Sequence, residues 1–235
     1  MANPSITVLP ATPAALARFI DHTQTRADAT LQDIEKLCAE AREHQFHSVS
    51  VNGSWVIAAC HFLEGSDVKV GCAVGFPLGA MSGDVKRFET EAAIDDGAQE
   101  IDVVLNLGRL KAGDDKYVLR ELRDVAEAAD ERTVKVILET CLLTREEKIR
   151  ACELVADSGA HFVKTSTGLS TGGATVEDVK LLREIVGPKF GVKAAGGIRD
   201  ARTALAMIEA GATRLGTSAG VAIVEGFPAT GAGGS

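Results

Sequence analysis

Two lysines stand in strands where a lysine is expensive. Lys164 lies in HFVKTSTG and Lys193 in GVKAAGGIR, runs built mostly from apolar and small residues. An unpaired ammonium buried in such a strand costs several kcal/mol. Pairing with a carboxylate such as Asp102 or Glu139 would account for either lysine alone, but two on consecutive strands fit that account less well. Adjacent cations in a cavity poor in water repel one another, so one amine can lose its proton near neutral pH and attack a carbonyl carbon. The residues by themselves do not choose between the two.

A carboxylate on the same wall would move protons while the carbinolamine forms and at the carbon that becomes an enamine. Side chains alternate along a strand, so in EIDVVLN the residues Ile101, Val103 and Leu105 share one face while Glu100, Asp102, Val104 and Asn106 share the other. Asp102 is the candidate. The same alternation sets Ser48, Ser50 and Asn52 against Val49 and Val51, and sets Asp21 and Thr23 against Ile20. Lys135 shares a face with Glu139 near the start of its strand, where a structural ion pair has at least as much support as a proton relay.

A second chemistry is written in the glycines. After Lys193 comes Ala194-Ala195-Gly196-Gly197-Ile198-Arg199, and the last strand is followed by Gly216-Thr217-Ser218-Ala219-Gly220. Glycines there let backbone N–H groups approach a phosphate at the N-terminus of a helix. Either pair alone is explained by a tight turn; both together point to an anion site made of Gly196, Gly197, Gly216 and Ser218. Gly168 would add a donor, and Arg199 would either bind the anion or cap the next helix.

These residues need a scaffold that brings eight strands to one axis. Strand-like runs fall at 19–23, 46–52, 68–74, 100–106, 134–139, 161–166, 191–195 and 214–217, with amphipathic stretches at 31–43, 85–96, 117–129, 146–157, 176–186 and 201–210. Gly97, Gly159, Gly187 and Gly211 each follow a helical stretch, as helix stops do. Eight βα units in this order predict an α/β fold, a single-domain closed (β/α)8 TIM barrel over residues 1–225. An open dinucleotide-binding sheet would carry a glycine-rich turn after its first strand, and none occurs. The Gly-rich tail 226–235 is expected to be mobile.

With 46% hydrophobic and 25% charged residues the chain can bury a core. The net charge of −8 disfavours nucleic acid as a partner, since that affinity comes from neutralising phosphates with cations. Neither an apolar run of membrane length nor a secretory leader is present in MANPSITVLP onward, which leads us to expect the cytoplasm and no membrane. Cys38, Cys60, Cys72, Cys141 and Cys152 are too scattered for zinc or dithiol chemistry. His44 and His47 lack a third ligand at useful spacing. Trp55, Phe62 and Phe88 read as packing residues on helical stretches, against strands or a partner subunit.

VGFPLG, EIDVVLN, HFVKTSTG, GVKAAGGIR and RLGTSAGVAIV, in this order over nearly the whole chain, resemble the motifs of the deoxyribose-phosphate aldolase family. The resemblance implies a class I aldolase that reversibly cleaves 2-deoxy-D-ribose 5-phosphate to D-glyceraldehyde 3-phosphate and acetaldehyde, with no metal or organic cofactor. It implies Lys164 as the Schiff-base nucleophile, Asp102 as proton donor and acceptor, and Lys193 as the group that perturbs Lys164 and assists proton transfer. A homodimer is also what the family suggests. The chain departs from the pattern at Ser50, where relatives usually have cysteine, at Gly53 for proline, at Gln24-Thr25-Arg26 for Leu-Leu-Lys and at Ala219 for a frequent second serine. Ser50 should spare turnover and remove a thiol open to aldehyde attack, while Ala219 should weaken phosphate affinity. Competing readings are a phosphate-binding barrel isomerase or synthase without a covalent lysine, a metal-dependent aldolase, and a sugar-phosphate binding module without turnover.

Overall fold

The computed structural model describes residues 9–228. Eight strands, β1 (Ile20–Gln24), β2 (Ser48–Asn52), β3 (Lys69–Val74), β4 (Glu100–Val104), β5 (Thr133–Ile137), β6 (Phe162–Lys164), β7 (Gly191–Ala195) and β8 (Arg214–Thr217), pair in parallel and in chain order. The last strand pairs with the first through Ile20 opposite Leu215, which closes the barrel. Helices α1 (Pro13–Ala17), α2 (Leu31–His44), α3 (Val56–Phe62), α4 (Gly83–Asp95), α5 (Leu107–Lys111), α6 (Asp115–Ala128), α7 (Arg145–Ala156), α8 (Val176–Val186), α9 (Ala201–Glu209) and α10 (Gly220–Glu225) accompany them.

Local chemistry explains the boundaries. Thr30 and Thr144 open α2 and α7 with capping boxes, each threonine hydroxyl accepting from the backbone three residues on while Asp33 or Glu147 reaches back. Thr175 and Asp200 cap α8 and α9. Gly97, Gly159, Gly187 and Gly211 all take positive φ after their helices. The strand expected to run to Asn106 stops at Val104 because Asn106 caps α5, accepting from Arg109 N–H. The strand expected to run to Glu139 stops at Ile137, and Glu139 itself has φ 51°.

Alternation divides the barrel into an apolar wall and a charged axis. Val49, Val51, Ile101, Val136, Val192 and Leu215 point outward and are sealed beneath the helices. Burial of that layer is the main drive for closure. The inner face, which branched aliphatics usually fill, carries Asp21, Glu100, Asp102, Lys135, Lys164 and Lys193, every one buried. Small inner residues make room for them: a Cβ on Gly216 would come within 3.0 Å of Lys193 Cε, and one on Gly191 within 2.3 Å of the Phe162 ring.

Some expectations change. Trp55 belongs to a short 3-10 turn, Gly53–Trp55, before α3. Phe88 is 70% exposed and stands outside the buried core. Cys38, Cys72 and Cys152 are buried, and burial pushes each thiol up to about 12. His44 stacks on Phe46 while His47 Nε2 lies 3.1 Å from a carboxylate oxygen of Glu100, so the two histidines serve different neighbours. The tail placed at 226–235 lies, from residue 229 on, outside the described residues.

Candidate active site

Register places the two lysines side by side. Lys164 closes β6 and pairs with Lys193 on β7, and Asp102 on β4 pairs with Lys135 on β5. All four side chains meet at one carboxylate. Asp102 Oδ2 accepts from Lys164 Nζ and Lys193 Nζ, each at 2.7 Å, while Oδ1 accepts from Lys135 Nζ at 2.8 Å. Lys193 also lies 2.6 Å from Asp21 Oδ2, a contact whose angle suits an ion pair rather than a hydrogen bond. Lys135 lies 2.7 Å from Glu100 Oε2.

The two candidate nucleophiles thus differ in company. Lys193 touches two carboxylates and Lys164 touches one. Burial lowers the Lys164 amine from 10.5 to about 8; Asp102 opposes that fall, and the Lys193 ammonium reinforces it. Crowding by a second cation is therefore a smaller cause than desolvation. Lys135 goes the other way: burial would lower it, but Asp102, Glu100 and Asp21 together raise it and keep it an ammonium. Burial would also raise Asp102, yet Lys135, Lys164 and Lys193 hold its carboxyl well below the usual range. Burial likewise works against Glu100, which Lys135 and His47 bring down to about 2.

Of these groups, Lys164 is the one that reaches the open end. A cleft of about 300 Å³ at the C-terminal ends of the strands is lined by Lys164, Thr23, Gly168, Gly196, Gly197, Arg199, Gly216 and Ser218. The sequence-derived nucleophile and the sequence-derived anion site therefore share one cavity. Arg199 stands at its rim, and the cap of α9 is Asp200, so capping is not the arginine's task. Gly168, Gly196 and Gly197 take φ of 86°, 89° and 80°, a left-handed backbone that is adopted at low cost only by glycine, and all three line the cleft. Lys193, Asp102, Asp21 and Lys135 lie beneath the cleft floor, and Ser50, on the inner face of β2, is buried away from its lining.

Three ties hold the cleft loops. Thr165 Oγ1 donates to Ala195 O and accepts from Ala195 N–H, fixing the end of β6 to β7. Thr217 Oγ1 donates to Ile198 O and accepts from Ala219 N–H, joining the two glycine loops. Glu139 accepts from the Thr167 N–H and from its hydroxyl, so this carboxylate organises the loop after Lys164 and is not the partner of Lys135 or of either strand lysine.

Sequence reasoning did not single out Arg214, and it weighed His47 only as a metal ligand beside His44, not as a partner of Glu100. Arg214 is 11% exposed, lies over the Phe162 ring and donates to Asp21 Oδ1 at 3.0 Å. The available signal was parity: Arg214 shares the inward face with Gly216.

An eight-stranded parallel barrel with a lysine of lowered basicity at the base of a cleft is the architecture of barrel aldolases, and similarity places the chain among them. The family model described as "DeoC/LacD family aldolase" matches residues 15–226, and the chain belongs to that family. A relative named deoxyribose-phosphate aldolase from Alkaliphilus oremlandii (strain OhILAs) is 60% identical over 211 residues, covering 89% of this chain and 95% of the relative. One of the same name from Brevibacillus brevis is 57% identical over 216 residues, covering 92% and 98%. The deoxyribose phosphate aldolase structure from Aeropyrum pernix, described as a unique tetramer, superposes with a TM-score of 0.85 at 33% identity, covering 91% of each chain.

Proposed function

We propose that this chain cleaves 2-deoxy-D-ribose 5-phosphate reversibly to D-glyceraldehyde 3-phosphate and acetaldehyde, with Lys164 as the covalent nucleophile. The observation that carries the reading is the Lys164 amine, buried at the base of the cleft and lowered to about 8, so that a fraction is unprotonated near neutral pH. That amine adds to C1 of the open-chain aldehyde. Loss of water from the carbinolamine gives an iminium, and loss of the C3 hydroxyl proton breaks the C2–C3 bond, whose electron pair becomes the enamine. Glyceraldehyde phosphate leaves, C2 takes a proton, and hydrolysis returns acetaldehyde and the amine.

Asp102, ionised by its three lysine partners, serves as the proton acceptor, and the Lys193 ammonium shares Oδ2 with Lys164 and relays protons through it. Lys135 acts in structure, holding Asp102 and Glu100 together. The backbone of Gly168, Gly196, Gly197 and Gly216, with Ser218 and Arg199, receives the phosphate at the mouth.

Incubation with acetaldehyde, borohydride reduction and peptide mapping by mass spectrometry tests the assignment. A label on Lys164 is expected. A label on Lys193 reverses the roles of the two lysines, turnover without any label indicates a non-covalent barrel isomerase or synthase, and binding without turnover indicates a sugar-phosphate binding protein.

A cytoplasmic homodimer completes the proposal. Leu78, Val85 and Phe88 form exposed apolar surface around the start of α4, which supports self-association, and no helix among the described residues is long and apolar enough to cross a membrane. Sedimentation equilibrium at micromolar protein should give twice the chain mass; a monomer there removes the dimer from the reading.

A further inference from the structure

Six side chains under the cleft close on themselves. From Asp102 Oδ1 the path runs to Lys135 Nζ at 2.8 Å and on to Glu100 Oε2 at 2.7 Å. Glu100 Oε2 lies 3.4 Å from Arg214 Nη1, which reaches Asp21 Oδ1 at 3.0 Å. Asp21 Oδ2 lies 2.6 Å from Lys193 Nζ, and Lys193 returns to Asp102 Oδ2 at 2.7 Å. Carboxylate and cation alternate at every step, three of each, so the ring is neutral as a unit. Lys164 is not a member. It hangs on Asp102 Oδ2, its single carboxylate contact, and its protonation leaves one uncompensated positive charge in a buried interior.

We propose that Arg214 and Glu100, at the end of the barrel away from the cleft, are positioning residues that set the protonation of Lys164 by fixing the charge of this ring. The proposal rests on Lys164 being the nucleophile. The groups facing Glu100 are the like-charged Asp21 on β1, His47 immediately before β2, Lys69 on β3, Lys135 on β5 and Arg214 on β8. Lys69 is 44% exposed at 4.0 Å, so water screens it. Those facing Arg214 are Asp21 on β1, Glu100 on β4 and the Phe162 ring on β6. Because the ring is balanced, removing one member changes its net charge by one, and the sign of that change depends on which member is removed.

Glu100→Gln leaves the ring positive, so the Lys164 ammonium becomes harder to keep and the amine is freed at lower pH. Arg214→Gln leaves it negative, and the amine is freed at higher pH. A unit charge acting through the protein interior moves the midpoint by roughly one pH unit in each case.

The experiment traps Lys164 with acetaldehyde and cyanoborohydride in the full chain across pH 6 to 10 and follows the modified peptide by mass spectrometry, with circular dichroism on each variant. Opposite displacements for Glu100→Gln and Arg214→Gln are expected, with Arg214→Lys near the parent. Asp21→Asn, which also removes an anion, should move the midpoint the same way as Glu100→Gln and substitutes for it if that variant does not fold. Displacement in the same direction for anion and cation removal, or none, overturns the ring while Lys164 remains the labelled residue. Labelling at another lysine in the parent chain overturns the nucleophile assignment.

Discussion

Replacing the nucleophile should make the protein more stable. A lysine held at about 8 rather than 10.5 has an ammonium that disfavours the folded state at pH 7. At about 1.4 kcal/mol for each pH unit of that gap, the penalty is about 3 kcal/mol. Below pH 8 the folded and unfolded chains both carry the proton and the penalty is present in full. Between pH 8 and 10.5 the folded chain releases it first, so the unfolded state binds more protons and the parent gains stability as pH rises; above 10.5 the penalty is gone. Methionine removes the charge, keeps most of the chain's volume and leaves the six-membered ring balanced. Lys164→Met should therefore abolish turnover while raising the melting temperature at pH 7 by about 10 °C, at roughly 2–4 °C per kcal/mol for a chain of this length. The advantage should shrink as pH rises. Thermal melts of parent and variant at pH 7, 8, 9 and 10 supply the readout. A variant less stable than its parent at pH 7, or a difference that stays constant to pH 10, would refute the account of Lys164 as a desolvated, unbalanced charge.

Two further outcomes concern the cleft and its neighbour on β2. A Cβ at Gly173 would lie 2.3 Å from Gly196 O, which also accepts from Ala174 N–H at 3.0 Å, so Gly173→Ala must displace the glycine loop; KM for the phosphorylated substrate should rise about tenfold, a loss of about 1.4 kcal/mol, with activity on unphosphorylated deoxyribose unchanged, and an unaltered KM would show that this loop does not hold phosphate. Ser50→Cys restores a thiol on the inner face of β2, and residual activity after acetaldehyde exposure should fall relative to the parent; equal tolerance removes Ser50 as a protective feature.

How far the sequence could be read follows from the range of each signal. Alternation acts over a few residues, and it placed Asp102, Asp21 and Glu100 on the inner face correctly. Glycine stops and helical periodicity are equally local, and the major helices fell close to their observed bounds. The short helices α1, α5 and α10 are too brief to show a helical period, which is why Asn106 read as strand rather than as a cap. Glu139 looked like a strand partner of Lys135 because nothing local announces a left-handed residue that is neither glycine nor asparagine. The inequality between Lys164 and Lys193 depends on contacts that span much of the chain, Lys193 with Asp21 above all. Arg214 was passed over for the same reason: its partners are on β1 and β4.

The ring members divide unevenly along the chain. Asp21, Glu100 and Asp102 all come from the first four strands, and Lys135, Lys193 and Arg214, together with Lys164, from the last four. Of these seven buried charges each half of the barrel contributes a single sign, and only their union brings the signs together. The first half is an acidic mould and the second its basic cast. Severed halves produced as separate chains therefore have an electrostatic reason to find each other.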